Sequence, residues 1–258
     1  MEAGLNLFSL RTLLQSEEGF LDTAARLRDM GYSYLQFSGC PYDAGMIERV
    51  SKQTGMPIVL THVPMGRIIN EPEALMEEHE GFGCRRIGLG CIPPKMYADE
   101  KQVKEAIEAL ERSAEKMAEN GFSFFYHNHH FEFYKYGGQT VFDYMIENAP
   151  HFNFTLDTYW LQYGGVDVLD FARRLTGRIE CVHLKDYLVG APLDLSKDFA
   201  LSQRFAPVGD GNMDFKKIIP ELKALGTKYF IVEQDNAVDF SDPLEQVGRS
   251  IKYLREEL

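Results

Sequence analysis

The run FFYHNHHFEF (residues 124–133) passes from strand-forming aromatics into a cluster of imidazoles and a carboxylate, and three later runs repeat that passage. They are FTLDTYW (154–160), IECVHLKD (179–186) and YFIVEQD (229–235). Each starts with β-branched, aromatic and apolar residues suited to a buried strand and finishes in His, Asp or Glu. If such strands are parallel neighbours in a barrel, their C-terminal ends converge, and Glu132, Asp157, His183 and Glu233 meet around one point. Three carboxylates and an imidazole form a mixed oxygen and nitrogen donor set for one divalent ion such as Mn, Zn, Co or Mg. That arrangement points to an enzyme.

Outward from these runs, strand-like and helix-like segments alternate along the chain. The strand candidates are 4–9, 33–38, 57–62, 85–90, 122–127, 153–157, 179–184 and 228–233. Amphipathic stretches lie between them at about 17–30, 43–54, 71–82, 99–119, 139–148, 166–175, 214–225 and 241–257. In 99–119 the apolar residues Val103, Ile107, Leu110, Ala114 and Met117 recur every three or four positions, the spacing of one helix face. Eight strands alternating with eight helices predict an α/β fold, a single (β/α)8 TIM barrel spanning residues 1–258. A doubly wound open sheet is the alternative, though it usually has fewer strands. The long connection from Asp186 to Met213 interrupts the rhythm after the seventh strand, on the face where barrel loops carry chemistry. It reads as the wall or lid of a pocket, or else as a solvated insertion.

Bulk properties narrow the partners. A net charge of −12 argues against nucleic acid and anionic membranes, because the favourable release of counterions would be missing. No apolar run approaches the roughly 20 residues that span a bilayer, and the N-terminus lacks the basic start and apolar core of a secretory signal. Four scattered cysteines without a CxxC pair suit reduced thiols in a cytoplasm. These properties leave a small molecule as the expected partner.

Several residues beside the four acids and imidazole also fall on the C-terminal face. His127 and His129 share one side of the fifth strand and are candidates for proton transfer or substrate contact, with a histidine competing against Glu132 as metal ligand. Glu132 lies past the strand proper and reaches the ion only if the chain stays extended or curls inward. His62 closes the third strand, where it can bind a hydroxyl, move a proton or make a structural hydrogen bond. Trp160, the only tryptophan, is either a sugar-stacking platform or core. Lys185 follows His183, and Arg204 is the nearest anion partner in the long connection or a plain surface arginine. The turn GDGNMD (209–214) ends in a helix cap at Asn212 or Asp214 whose amides could hold an anion.

Taken together, YHNHHFEF (126–133), LDTYWLQYGG (156–165), VHLKD (182–186), VGDGNMD (208–214) and VEQD (232–235) resemble the xylose isomerase-like barrels of the sugar phosphate isomerase/epimerase superfamily. The resemblance covers essentially the whole chain. It implies a (β/α)8 barrel that binds one divalent metal through Glu132, Asp157, His183 and Glu233. Ketose 3-epimerases of the superfamily carry their first glutamate inside the fifth strand, where this chain has Tyr126 or His127. Inosose dehydratases resemble it in a tyrosine-His-x-His start with the glutamate farther along.

The expected chemistry is isomerisation or epimerisation of a sugar or sugar phosphate through an enediolate, with Glu233 and Glu132 exchanging protons at carbon. The alternative is a metal-dependent lyase or dehydratase acting on a keto-inositol or 3-keto-glycoside, which the His-rich fifth strand favours because a leaving oxygen needs a proton donor. A DNA-repair endonuclease needs a more basic face, and a non-catalytic sugar-binding barrel would not need the four-residue set. Superfamily resemblance also allows a homo-oligomer, for which the aromatic stretch Phe122–Tyr136 serves equally as interface or as core.

Overall fold

The computed structural model describes residues 1–189 and 203–258. Eight parallel strands close a barrel: β1 (Gly4–Asn6), β2 (Tyr34–Phe37), β3 (Ile58–His62), β4 (Arg86–Leu89), β5 (Ser123–His127), β6 (Phe152–Asp157), β7 (Cys181–Leu184) and β8 (Tyr229–Val232). They pair in chain order, and β1 closes the ring against β8 with Gly4 opposite Ile231 and Leu5 opposite Val232. The outer layer includes α1 (Glu17–Met30), α2 (Ala44–Thr54), α3 (Pro72–Gly81), α4 (Glu100–Glu119), α5 (Val141–Asn148), α6 (Val168–Arg174), α7 (Phe215–Ala224) and α8 (Pro243–Glu256).

Local chemistry sets these boundaries. Side chains of Ser16, Asp43, Asp99, Thr140, Asp167, Asp214 and Asp242 cap the first turns of seven of these helices by accepting backbone N–H bonds. The first strand is shorter than its sequence suggests. Asn6 accepts the N–H of Phe8 and starts a 3-10 helix over Leu7–Leu13, which ends the expected 4–9 run early.

Strand parity sorts side chains into two cores. Phe124 and Tyr126, Phe154 and Leu156, Val182 and Leu184, and Phe230 and Val232 pack between the barrel and its helices. Tyr34, Val59, Leu60, Phe125, Cys181 and Ile231 instead fill the lumen, with Val59 the extra residue where the β2–β3 register shifts and parity is broken. On the same parity, the next inward position up each strand is Gln36, His127, His183 and Glu233, with Asn6 and Asp157 joining them on β1 and β6. The lumen is therefore apolar low down and polar at its C-terminal mouth. At the opposite end, Arg86 pairs with Glu180 at 3.0 Å and its guanidinium covers the Tyr229 ring, closing the floor.

The long connection is partly a two-stranded antiparallel hairpin, Asp186–Val189 against Gln203–Ala206. Of the Asp186–Met213 connection expected to form the wall or lid of a pocket, residues 190–202 lie outside the described residues. Of the aromatic stretch, Phe122, Phe124, Phe125 and Tyr126 are buried core, whereas Tyr134 is 55% exposed. Among the described residues no helix is long and apolar enough to cross a membrane.

A candidate metal centre at the mouth of the barrel

Four side chains, His127, Asp157, His183 and Glu233, each bring one donor atom to within 4.8 Å of the others, and all four are buried. His127 Nε2 lies 3.4 Å from Asp157 Oδ2, and His183 Nδ1 lies 2.9 Å from Glu233 Oε2. Neighbours lock each of them in place. Asp157 caps the short helix Thr158–Tyr163, its Oδ1 accepting the Trp160 N–H at 2.9 Å, while its own N–H donates to Asn128 Oδ1 at 3.0 Å. Asn6 Nδ2, from β1, donates to Glu233 Oε1 at 2.8 Å. His127 Nδ1 lies 3.1 Å from the Gly90 carbonyl, which can only accept, so the proton sits on Nδ1 and Nε2 keeps its lone pair toward the carboxylates.

The donor set suits a divalent cation. His183 Nδ1 is buried and makes no hydrogen bond among the described residues, while Glu233 Oε2, 2.9 Å from it, faces the Lys185 ammonium at 3.0 Å. A buried polar atom without a partner is rare, and His183 Nδ1 borders the same space as the lone pair of His127 and the Glu233 carboxylate. Imidazole and carboxylate donors together suit Mn, Zn or Co.

Lys185 is the cation already present. Fully buried, its ammonium lies 3.0 Å from Glu233 Oε2, 3.2 Å from Asp157 Oδ2 and 3.2 Å from Asp235 Oδ2. Burial would push this ammonium toward neutrality, but Asp157, Glu233 and Asp235 outweigh burial and raise its pKa. Burial likewise pushes the Glu233 carboxyl up, and Lys185 and His183 overcome it to hold Glu233 well below the usual range. For Asp157, burial wins over Lys185 and the pKa rises, and for Asp235 it rises to about 6. Burial lowers the His127 imidazole far below its usual value, helped by nearby His183.

The structure does not bring Glu132 into this cluster. The chain leaves β5 through a 3-10 turn, Phe131–Phe133, which folds Glu132 back behind the strand. There Oε1 accepts from Tyr126 at 2.6 Å and Tyr97 at 2.9 Å, and Oε2 accepts the His129 N–H at 2.8 Å. Burial raises this carboxyl to about 7 against the opposing pull of these donors. In the cluster its place falls to His127, the fifth-strand competitor.

The remaining expected residues divide. His129 packs beside His127 with ring centroids 4.7 Å apart, its Nδ1 has no partner among the described residues, and burial lowers its pKa to about 2. Trp160 stands next to it at 5.4 Å, with the Lys185 ammonium 5.2 Å from the indole centroid and Phe205 across the ring. The lone tryptophan thus belongs to the wall of the mouth. His62 lies 5.4 Å from His127, ring to ring, and its nitrogens contact Gln36 and Ser38. Arg204 is exposed on the hairpin, and alternation aims it away from the face where Phe205 meets Trp160. The GDGNMD turn is corrected: its amides are already taken. Asp186 accepts the N–H groups of Gly209, Gly211 and Met213 at 3.0–3.1 Å, so they hold an internal carboxylate and not an outside anion.

Sequence reading missed Gln36, Asn6 and Asp235. A signal existed for the first two: each is an amide at the mouth end of an otherwise apolar strand, at inward parity.

A family model described as the xylose isomerase-like TIM barrel matches residues 24–257. An inosose dehydratase of Clostridium perfringens is 27% identical over 172 residues, 63% of this chain and 57% of that protein. One from Geobacillus thermodenitrificans is 29% identical over 161 residues, 58% of this chain and 53% of the relative. The chain thus spans little more than half the length of these curated relatives. A crystal structure of a sugar phosphate isomerase/epimerase from Parabacteroides distasonis superposes with a TM-score of 0.80 at 20% identity, over 98% of this chain and 93% of the other.

Proposed function

The chain belongs to the xylose isomerase-like TIM barrel family, and on that footing we propose that it is a divalent-metal-dependent lyase acting on a polyhydroxylated ketone such as a keto-inositol or 3-keto-glycoside. The observation that carries this reading is the composition of the cluster. One glutamate, Glu233, stands at the mouth with the imidazoles of His127 and His183, while the second glutamate is bonded to Tyr97 and Tyr126 behind the strand. Proton exchange between two opposed carboxylates needs both at the substrate. Removal of one proton followed by loss of a β-oxygen needs only one, together with N–H donors around the oxygens.

His127, Asp157, His183 and Glu233 would hold the ion, which supplies Lewis-acid polarisation of the substrate carbonyl when bound. The protein's own groups do the rest. Glu233, kept ionised, accepts the proton from the carbon beside the carbonyl, and the C–H electron pair moves onto the carbonyl oxygen. Lys185, kept protonated by its three carboxylates, is the N–H donor that stabilises this charge. Collapse of the enolate forms the C=C bond and breaks the β C–O bond, and the proton held by Glu233 passes to the departing oxygen, which leaves as water or an alcohol. His129 and Trp160 line the side from which the oxygen leaves, and the indole face suits stacking against the apolar face of a sugar-like ring.

A second reading keeps the first step and returns the proton, giving isomerisation or epimerisation. Glu132 supports it: a carboxyl raised to about 7 is matched to proton exchange near neutrality. It would require the Phe131–Phe133 turn to swing toward the lumen. Incubating metal-loaded protein in D2O with ketoses, keto-inositols and 3-keto-glycosides separates the readings. Elimination yields an enone absorbing in the ultraviolet. Isomerisation or epimerisation yields an intact sugar carrying deuterium at carbon. Deuterium in no substrate and no enone would refute both.

A further inference from the structure

Gln36 is fully buried on β2, nearly opposite β7 across the barrel, and its amide reaches through the lumen to His183. Its Oε1 lies 2.6 Å from His183 Nε2, and its Nε2 lies 3.0 Å from His62 Nε2. An amide oxygen only accepts, so a neutral His183 must carry its proton on Nε2. The lone pair is then left on Nδ1, the atom 2.9 Å from Glu233 Oε2 and 3.9 Å from Asp157 Oδ2.

The other end of the amide fixes the same polarity. Its N–H donates to His62 Nε2, which leaves the His62 proton on Nδ1, 3.3 Å from the Ser38 hydroxyl. Rotating the amide by half a turn would reverse both histidines and move the His183 proton to Nδ1, into the space shared with the carboxylates. His127 receives the equivalent service from the backbone carbonyl of Gly90. Of the two acceptors that orient the imidazoles, only Gln36 is a side chain.

We propose that Gln36 is a positioning residue that sets the tautomer of His183 and so makes the cluster competent to take a divalent cation. This rests on reading the cluster as a metal site. Groups that orient ligand histidines typically change metal affinity by about 10–100-fold when removed.

The test is Co2+ binding to metal-free protein, followed by visible absorption, for wild type, Q36L, Q36N and Q36E. Q36L removes the acceptor, and Q36N is one methylene too short to reach. Both are expected to weaken Co2+ by about 10–100-fold and to alter the ligand-field bands. Q36E still accepts from His183 Nε2 and is expected to bind at least roughly tenfold more tightly than Q36L. Thermal unfolding of the metal-free variants checks folding, and Q36N carries the comparison if Q36L does not fold. Wild-type affinity and spectrum in Q36L or Q36N would overturn the proposal. So would a Q36E as weak as Q36L, since the amide would then matter for packing alone. A wild type that binds no Co2+ would refute the metal-site reading itself, a different result from equal binding by all variants.

Discussion

Replacing Lys185 with methionine keeps the length of the side chain and deletes the charge that three buried carboxylates share. The ammonium stands 3.0 Å from Glu233, 3.2 Å from Asp157 and 3.2 Å from Asp235. At an effective dielectric constant near 20, each contact represents a gross attraction of roughly 5 kcal/mol. Desolvation of the four ions consumes most of that, so the usable figure is the cost of breaking a buried pair, about 3–5 kcal/mol. In a chain of this size each kcal/mol moves the Tm by about 2–4 °C, so metal-free K185M should melt on the order of 10 °C below wild type. A divalent ion among the same carboxylates replaces the missing charge. At about a thousand times its Kd it returns roughly 4 kcal/mol, so Mn2+ should stabilise K185M more than it stabilises wild type. Scanning calorimetry in EDTA and in excess Mn2+ reads both numbers. An unchanged Tm in EDTA, or equal Mn2+ shifts in the two proteins, would refute the view that Lys185 is the compensating charge of the site.

Elemental analysis should find metal retained in E132Q and strongly reduced in H127A, because His127 and not Glu132 reaches the cluster; the opposite pattern would restore Glu132 as a ligand. The Glu132 carboxyl is raised from 4.5 to about 7 in the folded chain, so the stability that its protonated form contributes is complete below pH 4.5 and lost as pH rises to 7. The linkage amounts to about 3 kcal/mol. Urea titrations of wild type and E132Q between pH 5 and 8 should therefore diverge in favour of E132Q as pH rises, and parallel curves would contradict the assignment. D186A strips the acceptor from three amides of the 209–213 turn, of which that of Met213 is buried, and should cost about 1–3 kcal/mol in urea denaturation. G211A should also destabilise, since a Cβ there would lie 2.2 Å from Asp186 Oδ1 and 2.3 Å from the Tyr187 carbonyl.

The barrel was legible because local and global signals agree. Helical periodicity in residues such as Val103, Ile107 and Leu110 marks the outer layer, and strand endings such as Asp157, His183 and Glu233 mark the mouth. Those endings lie on regular strands, where parity alone decides direction. Glu132 escaped because it lies beyond β5, where a 3-10 turn and two tyrosine hydroxyls decide its direction. Tyr97 is 35 residues away in sequence, and nothing in YHNHHFEF announces it. Gln36 reaches His183 across the lumen and Asn6 reaches Glu233 on the neighbouring strand, at separations of 147 and 227 residues; inward parity marks the two amides, but no local pattern names their partners. The GDGNMD turn reads from sequence as amides open to an anion, but the carboxylate that claims them, Asp186, sits at the other end of a long connection.

The bond from Asn6 to Glu233 joins the first strand to the last, as does the pairing of Gly4 with Ile231. A ribosome adding about 5–20 residues per second exposes the N-terminal half of this barrel well before β8 emerges. Until then Asp157 and His183 stand beside an open sheet edge, without Glu233 to complete their set. The four-residue cluster is therefore complete only when the ring closes. A chain ending before β8 would lose the edge partner of β1 together with the last donor.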